Sequence, residues 1–135
     1  MGIKPNIDIL IVEDNDSMRK LMVKILQNLG FKKIKDAENG KVAWELLQLS
    51  PYDIVITDLM MSEMDGLELL QKIRESSAPL NRTPVLMVTA SDQKSDVLKA
   101  SKLKINGYIV KPINVKTILS KIMQITDLAE SKKVS

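Results

Sequence analysis

Five side chains in this sequence are of the types and in the places that chemistry needs: Glu13, Asp14, Asp58, Thr89 and Lys111. Each follows a short apolar run. Ile9-Leu10-Ile11-Val12 leads into Glu13-Asp14, and Ile54-Val55-Ile56-Thr57 into Asp58. Val85-Leu86-Met87-Val88 leads into Thr89, and Gly107-Tyr108-Ile109-Val110 into Lys111. A carboxylate leaving the core is costly unless something nearby uses it. Two carboxylates about 4 Å apart repel by roughly 4 kcal/mol at an effective dielectric of about 20. Three acids brought together therefore need counter-charge. Lys111 supplies one, and a divalent cation would supply the rest. The chain has no cysteine and no histidine, so the metal must be oxygen-ligated, which points to Mg²⁺. A carboxylate beside Mg²⁺ and an ammonium could hold a phosphoryl group, with Asp58 as the nucleophile.

Taken one at a time, these residues have plainer readings. Glu13-Asp14 before a helix complements the helix dipole, Thr89 suits an N-cap, and Lys111 suits a solvated surface. The arrival of all four strand ends on one rim is what those readings leave unexplained.

The elements that must position them alternate in type. Buried strand runs are expected at Ile7–Val12, Ile54–Thr57, Pro84–Val88 and Gly107–Val110, with a short polar edge strand at Lys33–Ala37. Met18, Leu21, Met22, Ile25, Leu26 and Leu29 form one helical stripe ended by Gly30. Val42, Ala43, Leu46 and Leu47 mark a second helix closed by Ser50-Pro51. Asp65-Gly66-Leu67-Glu68 reads as a capping box opening a third. The fourth, over 92–103, is weak, with Val97, Leu98 and Ala100 as its clear apolar positions. Asn114 caps a fifth with Val115, Ile118, Leu119, Ile122 and Met123 on one face. This is an α/β class chain, a (βα)5 pattern that calls for a parallel sheet with helices on both faces. Ligands of such sheets bind beyond the carboxyl ends of the strands. One domain over 1–135 is expected, its core at about 7–128 and a polar tail at 129–135.

The bulk numbers exclude other classes. Aromatic residues are 3% and net charge is only +3, which offers neither base-stacking platforms nor a strongly basic surface. No apolar run approaches the roughly 20 residues of a membrane span. The start carries no signal-peptide core, and Asn6 stands where myristoylation requires Ser or Thr. A cytoplasmic monomer is expected, with no nucleic-acid or membrane partner.

Together the motifs resemble the response-regulator receiver family, from about Ile9 to Ile125. They are Ile11-Val12-Glu13-Asp14, Ile56-Thr57-Asp58, Met64-Asp65-Gly66-Leu67-Glu68-Leu69-Leu70, Pro84–Ala90 and Gly107–Pro112. The stand-alone chemotaxis members are the nearest in kind. The resemblance implies a flavodoxin-like doubly wound fold of strand order 2-1-3-4-5. It implies Asp58 as phosphoacceptor, charged by a histidine kinase, and Glu13, Asp14, Asp58 and the Met60 backbone carbonyl as Mg²⁺ ligands. It implies Thr89 and Lys111 on the phosphoryl group, a cis peptide before Pro112, and Tyr108 as an aromatic switch coupled to Thr89. A target such as a flagellar motor protein would dock on the fourth helix, fifth strand and fifth helix. Such a protein is a signalling phosphoacceptor, with self-phosphorylation and aspartyl-phosphate hydrolysis its only catalysis.

Some positions depart from the family. Ser62 replaces a proline after Asp58, so that loop is expected to be less stiff. Met60 and Ser91 stand where the family tunes phosphate lifetime. Lys104-Ile105 replaces Gly-Ala, so the fourth helix is expected to end without the left-handed residue that glycine makes easy. Residues 94–125 hold seven lysines and one acid, Asp96, which favours an acidic partner segment. Three other roles compete. One is a phosphate sink or relay outside chemotaxis. Another is a Mg²⁺-dependent phosphatase, which would want an acid where Met60 stands. The last is a flavin mononucleotide binder, for which the Ser/Thr/Gly-rich cradle and stacking aromatics are missing.

Overall fold

The computed structural model describes the backbone of residues 6–134 and the side chains of residues 6–127. Residues 1–5, where a signal-peptide core would begin, lie outside the described residues. Ten main elements alternate: β1 (Asp8–Val12), α1 (Asp16–Asn28), β2 (Lys33–Ala37), α2 (Gly40–Leu49), β3 (Ile54–Thr57), α3 (Gly66–Glu75), β4 (Val85–Thr89), α4 (Lys94–Lys102), β5 (Gly107–Val110) and α5 (Val115–Val134). The five strands form one sheet in the order β2-β1-β3-β4-β5, and each neighbouring pair is parallel. Polar β2 lies at the edge, as its composition requires.

Alternation along each strand divides the core into two layers. Ile9, Ile11, Ile54, Ile56, Leu86 and Val88 face one way and pack with Met22 and Leu26 of α1 and Ile118, Ile122 and Ile125 of α5. Leu10, Val12, Val55 and Val85 face the other way, against Ala43 and Leu47 of α2, Leu69, Leu70 and Ile73 of α3, and Ala100 of α4. Fully burying a Leu or Ile side chain stabilises by about 1.5–3 kcal/mol, so these layers fix the strand registers that build the rim.

Helix α4 is the least anchored. Of its apolar residues only Ala100 is buried; Val97 and Leu98 stay 38% and 61% exposed. Its end corrects an expectation. Lys104 does take the left-handed conformation, at φ 59°. The Ile105 N–H donates to the Ala100 carbonyl at 3.1 Å and the Lys104 N–H to the Ser101 carbonyl at 3.0 Å. That pair of bonds is a Schellman motif. Helix α1 ends the same way on Gly30, at φ 102°. At Lys104 the bonds override a backbone preference of roughly 1–2 kcal/mol. Arg74 braces the same corner. Its guanidinium donates to the carbonyls of Leu103, Asn81, Thr83 and Lys104 and to Asn106 Oδ1, at 2.7–3.2 Å. Burial lowers its pKa.

Helix α5 continues to Val134, so the stretch expected as a polar tail carries helical backbone through 134.

Candidate functional site

Register brings the acids together. Val12 of β1 pairs with Thr57 of β3, so Glu13 and Asp58 leave adjacent strands side by side. Thr89 pairs with Val110 at the ends of β4 and β5, and Lys111 follows. Lys111 Nζ donates to Glu13 Oε1 at 2.9 Å and to Asp58 Oδ2 at 3.2 Å. The other Asp58 oxygen, Oδ1, accepts from the Leu59 N–H at 2.6 Å and the Met60 N–H at 3.3 Å. Glu13 Oε2 accepts from the Asn15 N–H at 3.2 Å. Glu13, Asp14 and Asp58 each bring a carboxylate oxygen within 4.8 Å of the others.

The electrostatics follow from burial. Glu13 is 5% exposed. Burial raises its pKa by more than the Lys111 hydrogen bond lowers it, and the Asp58 charge adds to the rise. Burial lowers Lys111, but the Glu13 hydrogen bond and the Asp58 charge outweigh it, leaving the ammonium above its ordinary value. Two acids thus compete for one cation, and a second cation would relieve both. The donor set fits a hard divalent ion: three carboxylates and no nitrogen or sulfur.

The loop after Asp58 is tightly folded. Glu63 and Met64 are left-handed, at φ 53° and 81°. The Gly66 N–H donates to the Leu59 carbonyl at 2.8 Å and the Lys41 N–H to the Glu63 carbonyl at 3.0 Å. The capping box is present: Glu68 N–H to Asp65 Oδ1 at 2.9 Å, and Asp65 N–H to Glu68 Oε1 at 3.2 Å. Met60 is 63% exposed on the rim. The Lys111–Pro112 peptide is cis, as the resemblance implied, and so is Ala78–Pro79.

Thr89 is fully buried at the next strand end, and its Oγ1 accepts from the Ser91 N–H at 3.4 Å. The Tyr108 hydroxyl donates to the Ser91 carbonyl at 2.9 Å. Burial raises the Tyr108 pKa, with the charges of Asp96, Asp58 and Asp92 adding to it against the Ser91 bond.

Two residues of this region escaped sequence reasoning. Arg19 Nη1 donates to the Glu13 carbonyl at 2.9 Å while its other nitrogens hold Asp16 and Asp36, which ties α1 and β2 to the acid loop. Asp96 accepts from Ser91 Oγ at 2.6 Å. Asp96 was visible only as the lone acid among seven lysines.

An acid-rimmed parallel sheet of order 2-1-3-4-5 with a lysine between two carboxylates defines a class, and likeness to known proteins names it. The sequence matches the response regulator receiver domain model over residues 9–123. The chain belongs to the response regulator receiver family. It is 38% identical over 120 residues to the chemotaxis protein CheY-3 of Vibrio cholerae, covering 89% of this chain and 92% of that one. It is 36% identical over 117 residues to the chemotaxis protein CheY of Pseudomonas aeruginosa, covering 87% and 94%. The solved structure of CheY4 from Vibrio cholerae superposes with a TM-score of 0.80 at 27% identity, covering 88% of this chain and 98% of that one. Among the described residues no helix is long and apolar enough to cross a membrane.

Proposed function

We propose that this response regulator takes a phosphoryl group onto Asp58 from a histidine kinase, then presents its α4–β5–α5 face to a protein target. The observation that carries this is Lys111 Nζ bridging Glu13 and Asp58, with Asp14 beside them. Glu13, Asp14, Asp58 and the Met60 carbonyl would hold Mg²⁺, which supplies charge neutralisation on the phosphoryl oxygens. An Asp58 oxygen attacks phosphorus as the donor's P–N bond breaks. The electron pair and a proton stay with the departing imidazole. Lys111 then exchanges its carboxylate partner for a phosphoryl oxygen, and Thr89 donates its O–H there while still accepting from the Ser91 N–H. Tyr108 and Thr89 are the switch pair.

The target is of the chemotaxis kind, such as a flagellar motor protein, a reading supported by the names of the curated relatives. The presenting face carries Val97, Leu98, Val110 and Val115, each more than a third exposed, among Lys94, Lys99, Lys102, Lys116 and Lys121. That chemistry suits an acidic amphipathic segment, whose binding weakens as salt rises. A phosphate sink or relay would use the same Asp58 chemistry. The phosphatase alternative lacks a general acid at Met60.

Incubation with Mg²⁺ and acetyl phosphate should add one phosphoryl group by intact-mass spectrometry, and Asp58→Asn should add none. Failure of the unmodified protein to take up phosphate, or uptake that survives Asp58→Asn, would falsify this assignment.

A further inference from the structure

Ser91 spends all three of its polar groups on three different elements. Its N–H donates to Thr89 Oγ1 at the end of β4, at 3.4 Å. Its carbonyl accepts from the Tyr108 hydroxyl of β5 at 2.9 Å. Its hydroxyl donates to Asp96 Oδ2 in the first turn of α4 at 2.6 Å. The last contact has the length of a charge-assisted O–H···O⁻ bond, roughly twice the strength of a neutral one. Ser91 Oγ also accepts from the Gln93 N–H at 3.3 Å. Ser91 is 9% exposed, so these bonds compete little with water.

Helix α4 needs such an anchor. Gln93 at its N-cap makes no side-chain capping bond, and only Ala100 along its length is buried. The Asp96 N–H donates to the Gln93 carbonyl at 3.1 Å. Asp96 therefore ties the start of α4 to the same residue that holds Thr89 and Tyr108.

We propose that the Ser91–Asp96 hydrogen bond is the latch that makes Thr89, Tyr108 and α4 move as one, with Asp96 a positioning residue for the switch. This rests on Asp58 being the phosphoacceptor. With the latch intact, a shift of Thr89 toward the phosphoryl group pulls the Ser91 backbone. Tyr108 then follows through the Ser91 carbonyl, and α4 follows through Asp96. With the latch cut, Thr89 still serves the phosphoryl group, but the loop absorbs the movement.

The chain has two tyrosines, Tyr52 and Tyr108, so ring-labelled tyrosine gives two resolvable NMR signals, assigned with Tyr52→Phe. Acetyl phosphate with Mg²⁺ should shift the Tyr108 signal of the unaltered protein. In Asp96→Ala the phosphorylation-induced shift should fall by more than half, while Asp58 takes up phosphate to the same extent by mass. Ser91→Ala should reduce the Tyr108 shift equally, and the double variant should reduce it no further. Asp96→Asn, which keeps an acceptor, should recover part of it. A full Tyr108 response in Asp96→Ala, or a further loss in the double variant beyond that of either single variant, overturns the latch. Absence of phosphate uptake in the unaltered protein overturns the phosphoacceptor assignment instead.

Discussion

Gly66 packs its backbone directly against the carbonyl of Asp58. A Cβ built at Gly66 would overlap that oxygen and lie 2.9 Å from the Leu59 Cα. At the start of α3, alanine would otherwise be favoured over glycine by about 1 kcal/mol. The overlap is with backbone that cannot rotate away, and overpacking typically costs about 1–3 kcal/mol. Gly66→Ala should therefore lower stability despite its better helix propensity. It should also slow phosphate uptake roughly tenfold or more, because the shifted Asp58 no longer faces its partners. Thermal melts and single-turnover labelling with acetyl phosphate check both; a stabilised variant with unchanged uptake contradicts the geometry.

Lys104 and Gly30 end two helices with the same bonds, yet only one is glycine. Lys104→Gly should relieve the left-handed strain and stabilise by about 1 kcal/mol, raising Tm by roughly 4 °C. Gly30→Ala should destabilise by a similar amount. Equal and opposite melting shifts are the expected result, and a loss of stability in Lys104→Gly would count against the assigned conformation.

Arg74 holds the opposite end of the sheet, where β4 and β5 begin. All five of its hydrogen bonds go to neutral oxygens. Arg74→Met keeps the stem but leaves several carbonyls short of a donor, at about 1–3 kcal/mol per buried unsatisfied group. A total loss of about 2–4 kcal/mol by urea denaturation is expected. Phosphate uptake well below the melting point should stay within twofold, because none of these bonds reaches the acid rim.

Tyr108 gives a pH test. Its pKa is raised by burial and by the charges of Asp96, Asp58 and Asp92. Above the ordinary value of about 10 the unfolded chain loses this proton first. The stability term is therefore complete below that pH and disappears as pH rises through the folded value. In Tyr52→Phe protein, the tyrosinate absorbance should rise above the ordinary pH. Adding Asp96→Asn should move the midpoint down, since one of the charges opposing ionisation is gone. A midpoint at or below the ordinary value would show that the phenol is not held as described.

Much of this protein was written in its sequence. Continuous apolar runs had to become strands buried on both faces, and the polar residues that end four of them had to stand on one rim. Asp58, Glu13, Asp14, Thr89 and Lys111 were legible for that reason. The Asp65-Gly66-Leu67-Glu68 cap was legible because capping is a contact between residues three apart. The order of the strands came through family likeness, because alternation requires parallel crossovers without choosing which strands neighbour each other.

Tertiary structure alone decided the rest. Lys111 lies 98 residues from Glu13 and 53 from Asp58, and only register places its ammonium between them. The capping box placed Gly66 at the start of a helix, but only the fold sets it against the Asp58 carbonyl. Lys104 was expected to avoid the left-handed conformation; a Schellman motif and the Arg74 guanidinium, 30 residues away, hold it there. Local preferences at such positions are worth roughly 1–2 kcal/mol, less than the packing and hydrogen bonds that tertiary contacts bring. The acids, the hydroxyl and the ammonium were therefore determined by sequence, whereas their pairing and the Ser91–Asp96 tie were determined by the fold.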